Sequence, residues 1–347
     1  MSRRVRTLIP GVVILAILIV LAATLPVPYV VLSPGPTLNT LGTYRSTGGD
    51  QQIIVIKGKQ ANKTTGNLNL TTVQSTVGRI TAFQALMGWI KGDEIVVPRE
   101  TLYPPGVSQD QVNQQDAQDF SDSQNSAEAA AFCELGYPKG FGVLATSDSI
   151  TPKGALEVGD ELVSFDGTAL TDSDSLSKAE SAHKAGDQVT LQIKRLGAAK
   201  TVTVTLNPPP QGATNPTIGI AAGETCFATF QVDLGLNDEI GGPSAGMMFA
   251  LGIMEKVGTE DLTGGKFIAG TGTIDATGKV GPIGGIQLKM IAARRAGASV
   301  FLAPVDNCTD VRGNVPKGLE VVKVSSLHDA VTALQQIKSG QHPAGCG

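Results

Sequence analysis

Residues 240–254 read IGGPSAGMMFALGIM. The glycines and proline of the first half favour a tight turn, and the apolar second half has the composition of a buried helix. Ser244 is therefore expected at or beside a helix N-terminus, where unpaired backbone N–H groups and the helix dipole can stabilise an oxyanion. The alternative is that Ser244 is simply the N-cap, the commonest role of serine in such a place.

A nucleophilic serine needs a base. The chain has three histidines, His183, His328 and His342, and none has a sequence context that indicates a Ser-His-Asp triad. Lys289 is the other candidate, because it has apolar neighbours in a helix pattern that follows the glycines of residues 281–285. Burial would lower the pKa of its amine and allow it to act as a general base, whereas a lysine normally extends to water.

Three linked motifs resemble the proteolytic domain of Lon-type peptidases in order and spacing. They are GPSAG at 242–246, GTGTI at 270–274, and GKVGPIGG at 278–285 followed by Lys289. The resemblance implies a Ser-Lys dyad in which Ser244 is the nucleophile and Lys289 the general base. It also implies that Thr271 hydrogen-bonds the lysine and orients it.

The same resemblance implies an oxyanion site made of backbone N–H groups, those of Gly242, Ser244 and Ala245. An acidic residue often found in the family two positions before the motif's proline is Gly241 in this chain. Asp238 and Glu239 lie close by in the sequence, and whether either of them assists the dyad stays open.

Residues 138–207 have the pattern of a small β-rich module, with four short strands, one helix and a PPP boundary at 208–210. The order of these elements resembles a PDZ domain of the type attached to exported proteases. The residues that carry the resemblance are KGFGV at 139–143 and LEVGDELVSFDG at 156–167. The resemblance implies that the module binds a peptide, which adds as a strand and places its terminal carboxylate on a backbone loop. The alternative is that the module is a purely structural insert. The loop residues are Gly140, Phe141, Gly142 and Val143.

Strands are predicted at 52–56, 68–73 and 95–97, and a surface helix at 117–136. The early strands and this helix resemble the beginning of the Lon protease domain. The PDZ-like module would then be inserted within the protease fold, after the helix. This arrangement predicts that residues 48–75 pack against residues 217–338.

The chain begins MSRRVR and continues with an uncharged, mainly apolar run from Leu8 to Leu25, which is just long enough to cross a membrane as a helix. Arginines precede the run and no Lys or Arg follows until Arg45, which predicts a cytoplasmic N-terminus. We expect an uncleaved signal anchor, single-pass localisation in the cell membrane and an extracytoplasmic catalytic part. The alternative is a cleaved signal peptide. Residues 26–48, rich in proline and glycine, are predicted to be an extended tether.

The net charge is −4 and no long Lys/Arg run occurs, which argues against a nucleic-acid binder. The four cysteines form no CxxC pair, so a zinc site is not expected. Three disulfide pairings are possible. Cys308 with Cys346 would fix the glycine-rich tail and leave Cys133 with Cys226, and buried free thiols are the alternative.

The sequence therefore predicts an α+β fold, in which a Lon-type protease domain carries an inserted small β-rich PDZ-like domain and is preceded by one transmembrane helix. The predicted units are a cytoplasmic tip and signal anchor (1–32), a tether with the early strands and helix of the protease fold (33–137), the PDZ-like domain (138–207), the Lon-like core (217–338) and a tail (339–347). The whole arrangement resembles the membrane-anchored, PDZ-containing Lon-like proteases of bacteria.

The predicted function is ATP-independent endopeptidase cleavage of exported or membrane proteins through an acyl-enzyme, with the PDZ-like domain selecting substrates. No P-loop of the form GxxxxGK[ST] is present, and no cofactor, metal or nucleic acid is expected. The partners are polypeptide substrates, the membrane through the N-terminal helix and, from the family resemblance, other copies of the chain in a hexameric ring. The alternative is a non-catalytic PDZ-type binding scaffold on a degenerate protease fold.

Overall fold

The structure is a computed structural model that describes residues 3–46, 49–76, 78–236 and 241–347, with side chains from Ile9 onward except Ser46. The helices are α1 (Arg3–Thr24), α2 (Ala82–Ile90), α3 (Gln109–Glu134), α4 (Ser173–Ser181), α5 (Gly246–Val257), α6 (Ile286–Ala296), α7 (Cys308–Val311) and α8 (Leu327–Lys338), with 3₁₀ turns at Arg99–Thr101 and Val305–Asn307.

The strands are β1 (Pro26–Val27), β2 (Tyr29–Asn39), β3 (Thr43–Ser46), β4 (Gly49–Gln52), β5 (Ile54–Lys57), β6 (Asn67–Ser75), β7 (Ile80–Thr81), β8 (Ile95–Pro98), β9 (Lys139–Thr146), β10 (Glu161–Phe165), β11 (Thr168–Ala169), β12 (Gln188–Arg195), β13 (Ala198–Thr205), β14 (Ile220–Cys226), β15 (Gln231–Leu234), β16 (Phe267–Gly270), β17 (Thr273–Ile274), β18 (Val280–Gly281), β19 (Val300–Pro304) and β20 (Glu320–Val324). The predicted 52–56 strand is divided between β4 and β5.

A six-stranded sheet in the order β20-β19-β16-β6-β2-β8 forms the centre of the larger unit. Its first four strands are parallel, and β2 and β8 extend it in antiparallel pairing. Successive side chains of a strand point to opposite faces. In β16, Ile268 therefore packs into the cluster that contains α5, whereas Ala269 packs into the cluster that contains α6. Both faces of the sheet are thus covered by helices.

Strands that lie far apart in sequence build this unit together. In the central sheet β6 pairs with β16 in parallel, and beside it β5 pairs with β15. The predicted packing of residues 48–75 against residues 217–338 is confirmed over the described residues. The topology agrees with insertion of the PDZ-like segment into the larger unit, since the chain leaves that unit after α3 and re-enters it at β15.

Much of the predicted tether is a strand instead. Residues 29–39 form β2, which lies between β6 and β8 and buries Val30 and Val31. Two of the four prolines that favoured an extended tether, Pro34 and Pro36, lie where the β2–β6 register shifts, between Pro34 and Thr37. A bulge of this kind tolerates residues without an N–H donor, and the strand continues on both sides of it.

The PDZ-like unit contains the antiparallel sheet β13-β12-β10-β9-β14, with β11 paired to β10, and has a hydrophobic core of its own. Its α4 begins at Asp172, whose side chain accepts a hydrogen bond from the Ser175 N–H. The last strand, β14, pairs along the length of β9 from Ile220 to Cys226.

Two disulfides confirm the pairing that the sequence left open. Cys133 of α3 is bonded to Cys226 of β14, and Cys308 of α7 is bonded to Cys346 in the tail. The sequence separations are 93 and 38 residues. On the chain-entropy model, closing loops of these lengths stabilises a fold by about 4–5 kcal/mol each.

The N-terminal helix differs from its prediction. Along the stretches that the structure describes, none of the helices combines the length and the apolar character that a membrane crossing requires. This finding contradicts the predicted transmembrane helix and the predicted single-pass localisation in the cell membrane.

The surface helix α3 is longer than predicted. It begins after Ser108, whose hydroxyl accepts from the Gln111 N–H while the Gln111 side chain accepts from the Ser108 N–H. This capping box satisfies two otherwise unpaired donors and allows a helix start inside a stretch rich in Gln and Asp. The added turns extend α3 along the loop that carries Ser244.

Candidate active site

Ser244 lies two residues before α5. The N-cap of this helix is Ala245, and no side chain caps it, so the interpretation of Ser244 as a simple N-cap is wrong. Gly242 has φ +82°, a left-handed conformation that favours glycine, and it turns the chain into the helix. Ser244 itself is half-buried. Its hydroxyl therefore has a role other than capping.

Lys289 lies in the first turn of α6, which begins after Gly285. Its side chain is 3% exposed. The Nζ atom lies 2.7 Å from Ser244 Oγ and 3.0 Å from Thr271 Oγ1. The structure thus brings together the three residues that the sequence proposed for the catalytic step.

Thr271 follows β16 directly and is fully buried. Its hydroxyl donates to the Ser244 carbonyl oxygen at 2.9 Å, and the Gly272 N–H donates to the same oxygen at 2.9 Å. Thr271 therefore contacts both the backbone of the nucleophile and the amine of the lysine, and it fixes their relative positions.

The central sheet explains why residues 45 positions apart meet. Helices α5 and α6 pack on its opposite faces, and the turns before them come together where β16 ends, next to Thr271. The carboxyl ends of parallel strands are the usual place for a site in a sheet covered by helices. This topology places a buried amine beside a half-exposed hydroxyl.

Burial lowers the pKa of Lys289 to about 8, because desolvation disfavours the charged ammonium form. In the described residues no carboxylate is hydrogen-bonded to Nζ, so nothing there offsets this effect. The histidines lie elsewhere, and each pairs with a carboxylate: His183 with Asp166, His328 with Glu134 and His342 with Glu320.

Helix α3 holds the loop before Ser244 through two contacts that the sequence did not indicate. The Gly242 N–H donates to the Asp116 carbonyl oxygen at 2.9 Å, and Ser123 Oγ donates to the Pro243 carbonyl oxygen at 2.9 Å. The prediction that Gly242 supplies an oxyanion donor is therefore wrong, because its N–H is already used. The acidic candidates Asp238 and Glu239 lie outside the described residues.

The predicted peptide-binding loop lies on β9. Its residues are Gly140, Phe141, Gly142 and Val143. One edge of this strand pairs with β14 over its length, and the other faces β10 and the preceding turn, with Val143 N–H donating to the Asp160 carbonyl oxygen. Strand β14 thus occupies one edge of β9, and at the other edge Gly142 and Val143 are paired within the chain, so the addition of a peptide strand to this loop stays a prediction.

Two protein-family models match separate parts of the chain. The PDZ domain model matches residues 120–206, and the model of the Lon protease (S16) C-terminal proteolytic domain matches residues 239–336. The second match contains Ser244, Thr271 and Lys289. The protein is thus a mixed α+β chain in which one segment is similar to a PDZ domain and another to the Lon proteolytic domain.

Curated relatives agree with the second match. The chain is 40% identical over 96 residues to the Lon protease of Azospirillum brasilense, and 36% identical over 93 residues to the Lon protease of Rhizobium meliloti. Each alignment covers 26% of this chain and 11% of the relative. The chain therefore spans only about a tenth of the length of these relatives.

A solved structure with similarity to this chain is the PDZ domain of the SdrC-like protein from Listeria monocytogenes. It is 24% identical, covers 24% of this chain and 86% of its own chain, and has a TM-score of 0.22.

Proposed function

We propose that this chain is a serine endopeptidase in which Ser244 and Lys289 form a catalytic dyad. The observation that carries the proposal is the 2.7 Å contact between Ser244 Oγ and the buried Lys289 Nζ. The match of residues 239–336 to a Lon proteolytic domain supports polypeptides as the substrate class.

The hydrogen bonds around Thr271 suit an amine that acts as a base. The single hydroxyl proton of Thr271 is donated to the Ser244 carbonyl, so the Thr271 oxygen accepts a hydrogen bond from the amine of Lys289. In a neutral amine, one N–H then points at Thr271 and the lone pair is available to the hydroxyl proton of Ser244. Lys289 can therefore accept that proton as Ser244 attacks.

The reaction follows from this arrangement. Ser244 Oγ bonds to the peptide carbonyl carbon as Lys289 takes its proton, and the ammonium then returns that proton to the leaving amine. The acyl-enzyme is released when water attacks the ester, with Lys289 accepting a proton from the water and returning it to Ser244. Backbone N–H groups at the start of α5 stabilise the oxyanion in both steps.

Hydrolysis by this chain is proposed to need no ATP, because its sequence contains no GxxxxGK[ST] phosphate-binding loop. The contacts among Ser244, Thr271 and Lys289 favour a catalytic role over the alternative of a PDZ-type binding scaffold. We propose no peptide-binding role for β9.

The first test is hydrolysis of an unfolded protein by the purified chain without nucleotide, measured from pH 5 to pH 10. Because only the neutral amine is a base, and burial holds the pKa of Lys289 at about 8, kcat/KM is expected to rise with pH to a plateau with a midpoint near 8. A strict requirement for ATP would contradict the nucleotide-independent mechanism. A rate still climbing at pH 10 would contradict a base of lowered pKa.

A further inference from the structure

Ser123 is a buried polar residue of α3, whose other buried residues are phenylalanines and alanines. It is 4% exposed, and its hydroxyl donates to the carbonyl oxygen of Pro243, the residue before the nucleophile. We propose that Ser123 is a positioning residue that directs the N–H of Ser244 at the oxyanion of the reaction. The inference rests on the proposed function.

The peptide unit between Pro243 and Ser244 sets the direction of the Ser244 N–H. This unit is trans, so the Pro243 carbonyl and the Ser244 N–H point in opposite directions within one plane. Since Ser123 holds the carbonyl toward α3, the N–H points away from α3. The Gly246 N–H also donates to this carbonyl, at 3.5 Å, but the Ser123 hydroxyl makes the shorter contact, at 2.9 Å, and contributes most to fixing the direction of the donor.

The next peptide unit is fixed in the same way by a different group. Thr271 and Gly272 hold the Ser244 carbonyl, and this sets the direction of the Ala245 N–H. In the part of the chain that the structure describes, neither the Ser244 N–H nor the Ala245 N–H donates to another group. Two adjacent amides at the start of α5 are thus available to an oxyanion, and Ser123 orients the first of them.

The close contact between α3 and α5 makes this anchor rigid. A Cβ atom added at Gly246 would lie 2.5 Å from Ser123 Oγ, so this glycine is what allows the serine to reach the loop. The Asp116 carbonyl accepts from the Gly242 N–H one residue before Pro243, which holds the other side of the turn. The Pro243 carbonyl therefore has little freedom to rotate while Ser123 is present.

Loss of the Ser123 hydroxyl should weaken stabilisation of the transition state more than it weakens substrate binding. Removing one oxyanion donor costs about 10²–10³-fold in kcat, and a donor that is present but no longer held should cost less. Ser123→Ala is therefore expected to lower kcat by about 10- to 100-fold. KM should change by less than about twofold, since the ground-state carbonyl gains little from the donor.

The experiment measures kcat, KM and the pH profile of three proteins: the wild type, Ser123→Ala and the control Ser121→Ala. Ser121 is an exposed serine on the same helix. The expected result is a lowered kcat only in Ser123→Ala, with an unchanged pH midpoint, because Lys289 is not touched. A thermal melt of each variant shows whether its fold is retained.

The possible results distinguish a failure of the role proposed for Ser123 from a failure of the proposed peptidase function. An active wild type with an equally active Ser123→Ala, or with an equal loss in Ser121→Ala, would overturn the inference alone. A raised KM at unchanged kcat, a shifted pH midpoint or a loss that only reflects unfolding would also overturn it. An inactive wild type would refute the proposed function itself.

Discussion

Ser244→Ala is expected to reduce peptide hydrolysis by about 10⁴-fold or more, to the level of the remaining binding and oxyanion effects. The substitution removes the atom that bonds to the substrate carbonyl. The protein should fold normally, because Ser244 is half-buried and does not cap α5. The measurement compares the initial rates of wild type and variant on one unfolded substrate.

A covalent reagent for activated serines sharpens this test. Mass spectrometry is expected to find the adduct on Ser244 in the wild type and none in Ser244→Ala. Ser299→Ala, a substitution at a serine just before β19, is the matched control and should keep the wild-type rate. Residual activity in Ser244→Ala within tenfold of the wild type would contradict the assignment of the nucleophile.

Lys289→Met is expected to abolish hydrolysis to the same extent and to stabilise the fold. Methionine fills a similar volume without a charge, and the pKa of Lys289, about 8 in place of 10.5, shows that the folded state disfavours the ammonium form. A difference of this size corresponds to at most about 3 kcal/mol at pH 7. The substitution also removes the two hydrogen bonds that Lys289 makes to the hydroxyl groups of Ser244 and Thr271. Their loss reduces the expected gain in the free energy of unfolding to about 1–2 kcal/mol.

The gain in stability from Lys289→Met should depend on pH in a defined direction. Between pH 8 and pH 10.5 the unfolded wild type binds more protons at this lysine than the folded protein does, so the free energy of unfolding rises with pH in this window. Below pH 8 the cost of the buried charge is constant. The advantage of Lys289→Met should therefore be full at pH 7 and largely lost by pH 10.5.

Urea unfolding of both proteins at pH 7 and at pH 10.5 measures this effect. Lys200→Met, at an exposed lysine of β13, is the control and should change stability by less than about 0.5 kcal/mol at either pH. A Lys289→Met protein that is less stable than the wild type at pH 7 would contradict a costly buried amine.

Local patterns indicated two of the candidate site residues, Ser244 and Lys289, whereas Thr271 came from the family resemblance. The glycines and proline at 242–246 predict a turn before a helix, and the structure has that turn. The apolar neighbours of Lys289 predict burial, and the side chain is 3% exposed. Both signals lie within a few residues of the chain, and such short-range patterns can be read without knowledge of the fold.

Long-range pairing could not be predicted in the same way. Proline and glycine interrupt the apolar pattern of β2, and only its pairing with β6 and β8 makes it a strand. Pairing of β14 with β9 likewise depends on residues about 80 positions apart, and it closes an edge that the sequence left for a peptide. Ser123 carries no signal in the sequence, because its role depends on where α3 meets the loop before α5.

The central claim is that Lys289 is buried beside Ser244 and loses its charge near pH 8. A nuclear magnetic resonance titration of its amine tests this most directly. Lysine labelled at the side chain gives one signal per residue, and the signal missing from Lys289→Met identifies this amine. We predict a midpoint near pH 8. A midpoint above pH 10, as for a lysine in water, would contradict the account.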